Sequence, residues 1–359
     1  MHTLVSHTLT AIVRNTCVAA IGAMRFSVCV TSVAHTFYIK ERKTMKLKMK
    51  KTLALILCLA MLASVFTFTV PVVAADTVYS GTCGANGDNV KWELNATTGV
   101  MTISGEGEMA DYDYRTLPPW NTYKFSIKTV NINEGVTRIG AYSFRNYYPG
   151  LSAVTMPDTV TSVGEQAFFA SYGIKSIYIP ANLNDIGDAF FALSSLEAIT
   201  VSKDNKVYHA NGNCLIETET KRLVLGCTES IIPNDGSVTV IAERAFARSD
   251  IKNIVIPEAV TCVEFRAFED CGATSISISS GLTNISPRAF DWCINVTEVT
   301  VDEANPVYYS NGNCIIDREN KTIVTGFESS VIPADGSVVA IGDYASATSI
   351  CPACVGWFP

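Results

Sequence analysis

Residues 256–278 read IPEAVTCVEFRAFEDCGATSISI. An alternating run that ends in proline (KNIVIP, residues 252–257) leads into a turn, then VEFRAF, then a second alternating run (TSISIS, residues 274–279). Working outward, the middle piece recurs as IGAYSF (139–144), VGEQAF (163–168), IGDAFF (186–191), IAERAF (241–246), ISPRAF (285–290) and IGDYAS (341–346). Including VEFRAF, successive copies start 24, 23, 55, 22, 22 and 56 residues apart. Self-similarity at a period of roughly 20–50 residues is the signature of a stacked array.

Each copy follows a short alternating run: KTVNIN, SAVTMP, KSIYIP, EAITVS, KNIVIP, TSISIS and TEVTVD. Strict alternation over six residues predicts a strand with one buried face. The inward pairs are Val130/Ile132, Val154/Met156, Ile177/Ile179, Ile199/Val201, Ile254/Ile256, Ile276/Ile278 and Val299/Val301. After the turn, the leading aliphatic residue and the Ala-Phe of each copy point inward again. One such unit has no second layer of its own, so it becomes stable only when neighbours stack on it. The expected architecture is a solenoid of coils of about 22–24 residues, each a strand, a turn and a short helical or irregular return.

Two coils are longer by about 33 residues, and both contain a doubled stretch: VYHANGNCLIE (207–217) and VYYSNGNCIID (307–317). The Asn211-Gly212 pair lies between runs rich in β-formers, which predicts a tight hairpin because such turns need positive φ. With RLVLG following, the insertion reads as a hairpin or three-stranded ribbon. Cys214 and Cys314 alternate with Ile216 and Ile316 and read as buried small hydrophobes. The rival reading is a thiolate assisted by His209, but the second copy carries Tyr309 there, so a duplicated catalytic site would lack its base once. Cys271 and Cys293, three residues after the repeat Phe, read as core.

The pattern carried by residues 256–278, and repeated over about 126–346, resembles the BspA-type leucine-rich repeat of secreted bacterial surface proteins. The stretch SGTCGANGDNVKWELNATTGVMTISGEGEMADY (80–112) is similar to the β segment that often precedes such repeats. The resemblance implies an α/β-type solenoid, mainly β, of leucine-rich-repeat-like coils with two hairpin-inserted long repeats. It also implies adhesion to host matrix proteins or other cells.

The ends read differently from the repeats. From Met45, the order MKLKMKK, then an uncharged apolar run over 52–70, then PVVAAD predicts a signal peptide at 45–75 with Asp76 as the first mature residue. An uncleaved anchor is the rival, because the run is 19 residues long. Residues 1–44 fit nothing that normally precedes a signal and read as an extension ahead of the true start. Residues 76–125 form the N-terminal β segment, 126–346 the solenoid, and 347–359 an irregular tail that neither continues nor caps the array and so reads as a truncated end.

Nine of the 27 basic and one of the 34 acidic side chains precede residue 76, so the following 284 residues carry 18 against 33, near −15. Such a chain is a poor partner for phosphate backbones, so nucleic acid is excluded as a ligand. Only His209 remains among the histidines, which rules out multi-histidine metal sites. Cys351 and Cys354 form one CPAC without two further zinc ligands, and no cofactor motif stands out. No catalytic residue is assigned.

The outward strand positions form a small, polar, nearly uncharged ladder. Its candidate ligand-binding members are Asn131, Thr155, Tyr178, Thr200, Val255, Ser277 and Thr300. The reading is a secreted or cell-surface, non-catalytic binding protein whose partner is a host or bacterial surface protein or glycan, in contact with membrane only through its export signal. The alternative is a glycan-binding accessory module of a larger exported enzyme. If the strand face is inert, binding is expected at the hairpins around Gly212 and Gly312, or near Trp92 and Trp120.

Overall fold

A computed structural model of the chain describes residues 76–147 and 150–343. The expected extension (1–44), signal (45–75), tail (347–359), the Ser346 end of the last repeat and the Cys351/Cys354 pair lie outside the described residues.

Strands β1 (Val78–Gly84), β2 (Gly87–Asn95) and β3 (Val100–Gly105) make an antiparallel meander. Along β2, Val90, Trp92 and Leu94 are buried between exposed Lys91 and Glu93, so this sheet buries one face only. The meander joins the array directly, because β3 pairs in parallel with β5 (Thr129–Ile132), Val100 opposite Thr129 through Ile103 opposite Ile132. The chain between them, residues 106–128, holds the short strand Gly107–Glu108 and a 3₁₀ turn, Asn121–Ser126.

Two strand faces then run along the coils. The first consists of β5, β7 (Ala153–Thr155), β9 (Ser176–Ile179), β10 (Ala198–Val201), β15 (Asn253–Ile256), β17 (Ser275–Ile278) and β19 (Glu298–Val301). The second is built from shorter pieces: β4 (Gly107–Glu108), β6 (Val136–Ile139) and β8 (Ser162–Val163) in one parallel sheet. It continues with β13 (Arg222–Leu225), β14 (Val240–Ile241), β16 (Cys262–Val263) and β18 (Asn284–Ile285), again parallel, and with β22 (Thr322–Thr325) beside β23 (Ala340–Ile341).

The predicted inward residues are buried, with Val154, Val201 and Val301 only half so. Val201 and Val301 end the strands that the insertions follow, and Val154 lies on a three-residue strand at a break in the sheet.

Between the two faces the phenylalanines stack coil on coil. Phe144, Phe168 and Phe190 lie 5.4 Å apart in succession with interplanar angles of 9° and 3°. Phe246, Phe268 and Phe290 repeat this at 5.0 and 5.2 Å. Trp120 extends the first stack onto the meander, 5.4 Å from Phe144, and donates its indole N–H to Ser143 O at 3.2 Å. Gly226 stands where the long coil approaches the second stack, since a Cβ there would sit 2.0 Å from the Phe246 ring.

The return segments are turns, not helix. Alternate amides bond to the next coil, Phe268 N–H to Ala289 O at 2.8 Å and Asp270 N–H to Asp291 O at 2.7 Å, and those between close i−3 turns, as Glu269 N–H does to Arg266 O at 3.1 Å, so no i−4 ladder forms. Two residues per return adopt left-handed backbone, as in Arg266 (φ 55) with Asp270 (φ 55) and Arg288 (φ 60) with Trp292 (φ 61). Each such residue costs on the order of 1–2 kcal/mol, offset by the bonds it lets the coil make to its neighbour.

Phe268 stacks on both sides and is fully buried, so Phe268→Ala should destabilise the chain by about 3–5 kcal/mol, whereas Phe265→Ala, exposed nearby, should cost far less. Urea unfolding of the two variants followed by circular dichroism measures the difference; equal effects would remove the stack from its structural role.

Candidate binding face

The insertions decide the geometry of the outer surface. Strands β11 (Tyr208–Asn211) and β12 (Cys214–Glu217) form a hairpin that continues antiparallel into β13, a three-stranded ribbon. The second copy is the same: β20 (Tyr308–Asn311), β21 (Cys314–Asp317) and β22. The turn residues are Gly212 (φ 58) and Asn213 (φ 61), one position later than the Asn-Gly pair predicts. Side chains set the shift. Asn211 Nδ2 donates to Asp235 Oδ2 at 2.8 Å, and Asn213 closes on β10, accepting from Ile199 N–H at 2.9 Å and donating to Glu197 O at 2.6 Å.

The hairpin tip also holds residues 228–233, the part of the long coil that occupies the next first-face position. Ile231 N–H donates to Gly212 O at 2.8 Å, and a Cβ on Gly212 would lie 2.0 Å from Ile231 O. Gly312 and Val331 repeat both features, at 2.8 and 1.9 Å.

Cys214 serves this packing. Burial pushes its thiol up to about 12, and its Sγ lies 3.5 Å from Gly212 O. His209 pairs with Ile216 across the hairpin and bonds Thr218 Oγ1 through Nδ1 at 2.9 Å, away from the thiol. At the matching place Tyr309 donates its hydroxyl to Ser337 O at 2.5 Å. Cys271 and Cys293 are buried in adjacent coils with sulfurs 3.5 Å apart, and the hydrogen bond that its thiol gives to Cys271, together with burial, raises the Cys293 thiol well above its ordinary range.

The seven predicted face residues stack in register, but in three groups. Asn131 is opposite Thr155, Tyr178 opposite Thr200, and Val255, Ser277 and Thr300 lie side by side. Asn131 is half-buried and receives a hydrogen bond from Thr155 Oγ1 at 3.1 Å; the other six are exposed. No strand pairing joins β7 to β9 or β10 to β15, so the ladder is not continuous. Of the fallback positions, the side chains of Trp92 and Trp120 are themselves core residues at 4% and 0% exposure.

Val255, Ser277 and Thr300 line one groove, of about 1220 Å³, closed on one side by residues 228–234. Ile231 on that wall is 76% exposed and Val255 on the floor 58%. The sequence marks this wall, since SIIP (230–233) ends in the same aliphatic-Ile-Pro pattern as KNIVIP. Among the described residues no group of three or more His, Cys, Asp or Glu is placed to hold a metal, and no helix is long and apolar enough to cross a membrane.

Parallel strands on two faces, stacked aromatics and coils of about 22 residues define a leucine-rich-repeat solenoid. The chain belongs to the BspA type leucine rich repeat region family, which matches residues 121–235 and 223–333 with 6 copies, more than half its length. No curated protein matches it. Among solved structures it is similar to a leucine-rich repeat protein from Eubacterium ventriosum, with 23% identity, 63% of this chain and 72% of that one covered, and a TM-score of 0.43. It is also similar to a leucine rich cell surface protein from Faecalibacterium prausnitzii (20% identity, 64% and 96% covered, TM-score 0.28) and to a leucine-rich repeat protein from Bacteroides ovatus (17%, 71% and 87%, TM-score 0.29).

The hairpins are anchored by carboxylates. Hydrogen bonds from the Ser237 hydroxyl and amide and from Asn211 bring Asp235 down to about 2, and Ser337 and Asn311 lower Asp335 in the same way. The folded value lies below the unfolded one of roughly 3.9, so this anchoring is complete above that pH and lost as pH falls through about 2. Asp235→Asn with Asp335→Asn should therefore flatten the fall in melting temperature between pH 5 and pH 2.5, measured by circular dichroism, and an unchanged acid profile would refute the anchoring.

Proposed function

We propose that this is an exported, cell-surface binding protein without catalytic activity, which attaches to a surface protein of a host or another cell through its first strand face. The observation that supports this most is the in-register ladder of exposed neutral side chains, centred on Tyr178 beside Thr200. Tyrosine buries a large area at low entropic cost and is enriched at interface hot spots. Tyr178 is the lone aromatic among the seven face positions, which favours a protein over a glycan, since glycan capture draws on several stacking rings.

Contact spread over equivalent coils resists single changes. Tyr178→Ala should weaken capture of surface proteins measurably, and adding Thr155→Glu and Thr200→Glu should eliminate it while the melting curve stays near that of the unaltered chain. A folded triple variant that binds with full affinity would show the face to be inert. Export itself is tested by intact mass of secreted material, which should begin at Asp76; a product retaining residues 52–70 in the membrane overturns that start.

A further inference from the structure

Strand β15 has a free edge. It is hydrogen-bonded only to β17, in a sheet that ends there. The carbonyls of Lys252 and Ile256 accept from Thr274 N–H and Ser279 N–H at 2.8 and 3.1 Å, so they face β17. Backbone groups alternate in direction along a strand, which turns the N–H and C=O of Asn253 and Val255 toward the groove. On the far side, residues 228–233 supply no ladder to meet them, because the Ile231 amide is already bonded to Gly212 at the hairpin tip.

A similar lapse in pairing separates β7 from β9. What marks the β15 edge is the space and charge beside it. The groove, about 1220 Å³, exceeds the roughly 300–1,000 Å³ of a small-molecule pocket. Glu229, Glu258, Asp302 and Glu303 line it against one cation, Lys252, and none of the four carboxylates is in an ion pair among the described residues. Ile231 and Val255 add exposed aliphatic surface between those charges.

We propose that this groove takes an extended basic segment of a partner protein, added as a strand to the edge of β15. Main-chain hydrogen bonds to Asn253 and Val255 supply affinity. Alternate side chains supply selectivity, apolar ones turned to Ile231 and Val255 and basic ones to the carboxylates. This rests on the reading of the chain as a protein-binding solenoid, and it names the segment recognised.

The probe is a fluorescein-labelled heptapeptide of alternating lysine and valine, titrated with the full chain by fluorescence anisotropy. Val255→Pro removes a groove-facing donor without touching the β17 ladder, a place where an edge strand tolerates proline. It should weaken binding by at least about tenfold, as loss of one or two hydrogen bonds does. Glu229→Lys with Glu303→Lys leaves the backbone alone and should weaken it similarly, with less dependence on salt, so the test survives if the proline variant fails to fold. Methylating the peptide's alternate amides should abolish binding. Equal binding by the methylated or a glutamate-valine peptide overturns the proposal. Concentration-dependent self-association of the chain, relieved by Val255→Pro, overturns it in favour of a second copy as occupant. If Val255→Pro abolishes peptide binding but leaves surface-protein capture unchanged, while the triple variant at Tyr178, Thr155 and Thr200 loses capture, the groove is not the capture site and only the broader reading stands.

Discussion

Stacking of one phenylalanine per coil on the next is the contact on which the other features depend. Each ring in the two stacks sits 5.0–5.4 Å from its neighbour, close to the spacing of adjacent strands, so ring contact and strand pairing are satisfied by the same translation. A coil shifted along the axis would lose both. This is why the returns accept left-handed backbone at arginine, aspartate and even tryptophan: the chain must close each turn at the height that the ring stack sets.

The insertions interrupt that regularity at defined places. Gly226 fits against the face of the second stack because it lacks a side chain, and the hairpin tip around Gly212 enters the first strand face. Residues 228–233 are then held to the hairpin instead of to β15. The array is thereby divided into a block that includes the meander and a block that starts with an unpaired strand edge. Residue identities at the join recur 100 positions later, as Gly312 against Val331 and Asn311 against Asp335 and Ser337, so the interruption is itself a repeated structural unit.

This division separates stability from surface chemistry. Inward positions are constrained by the rings and aliphatics that meet there, whereas Thr155, Tyr178, Thr200, Ser277 and Thr300 contact little beyond their own strand neighbours. Outward side chains on such a frame can change with small effect on folding, which makes the strand face and the groove beside it suitable for recognition.

The period, the strands, their inward faces and the ribbon character of the insertions were all determined by sequence, because each rests on local alternation or on a fixed spacing between identical residue types. Tertiary structure decided the rest. The turn at Gly212–Asn213 fell one residue from the Asn-Gly signal because Asn211 is bonded 24 positions away, to Asp235. Six of the seven face residues are exposed and Asn131 is half-buried, yet which of them share a surface depended on where sheet pairing stops, and between β10 and β15 that follows from a hydrogen bond between Ile231 and a hairpin tip distant in the chain. Trp92 and Trp120, at the centre of the N-terminal segment, are buried, since aromatic residues there complete the ring stack that closes that end of the core. Local pattern specifies which side of a strand faces water; only the contacts between coils decide which strands meet.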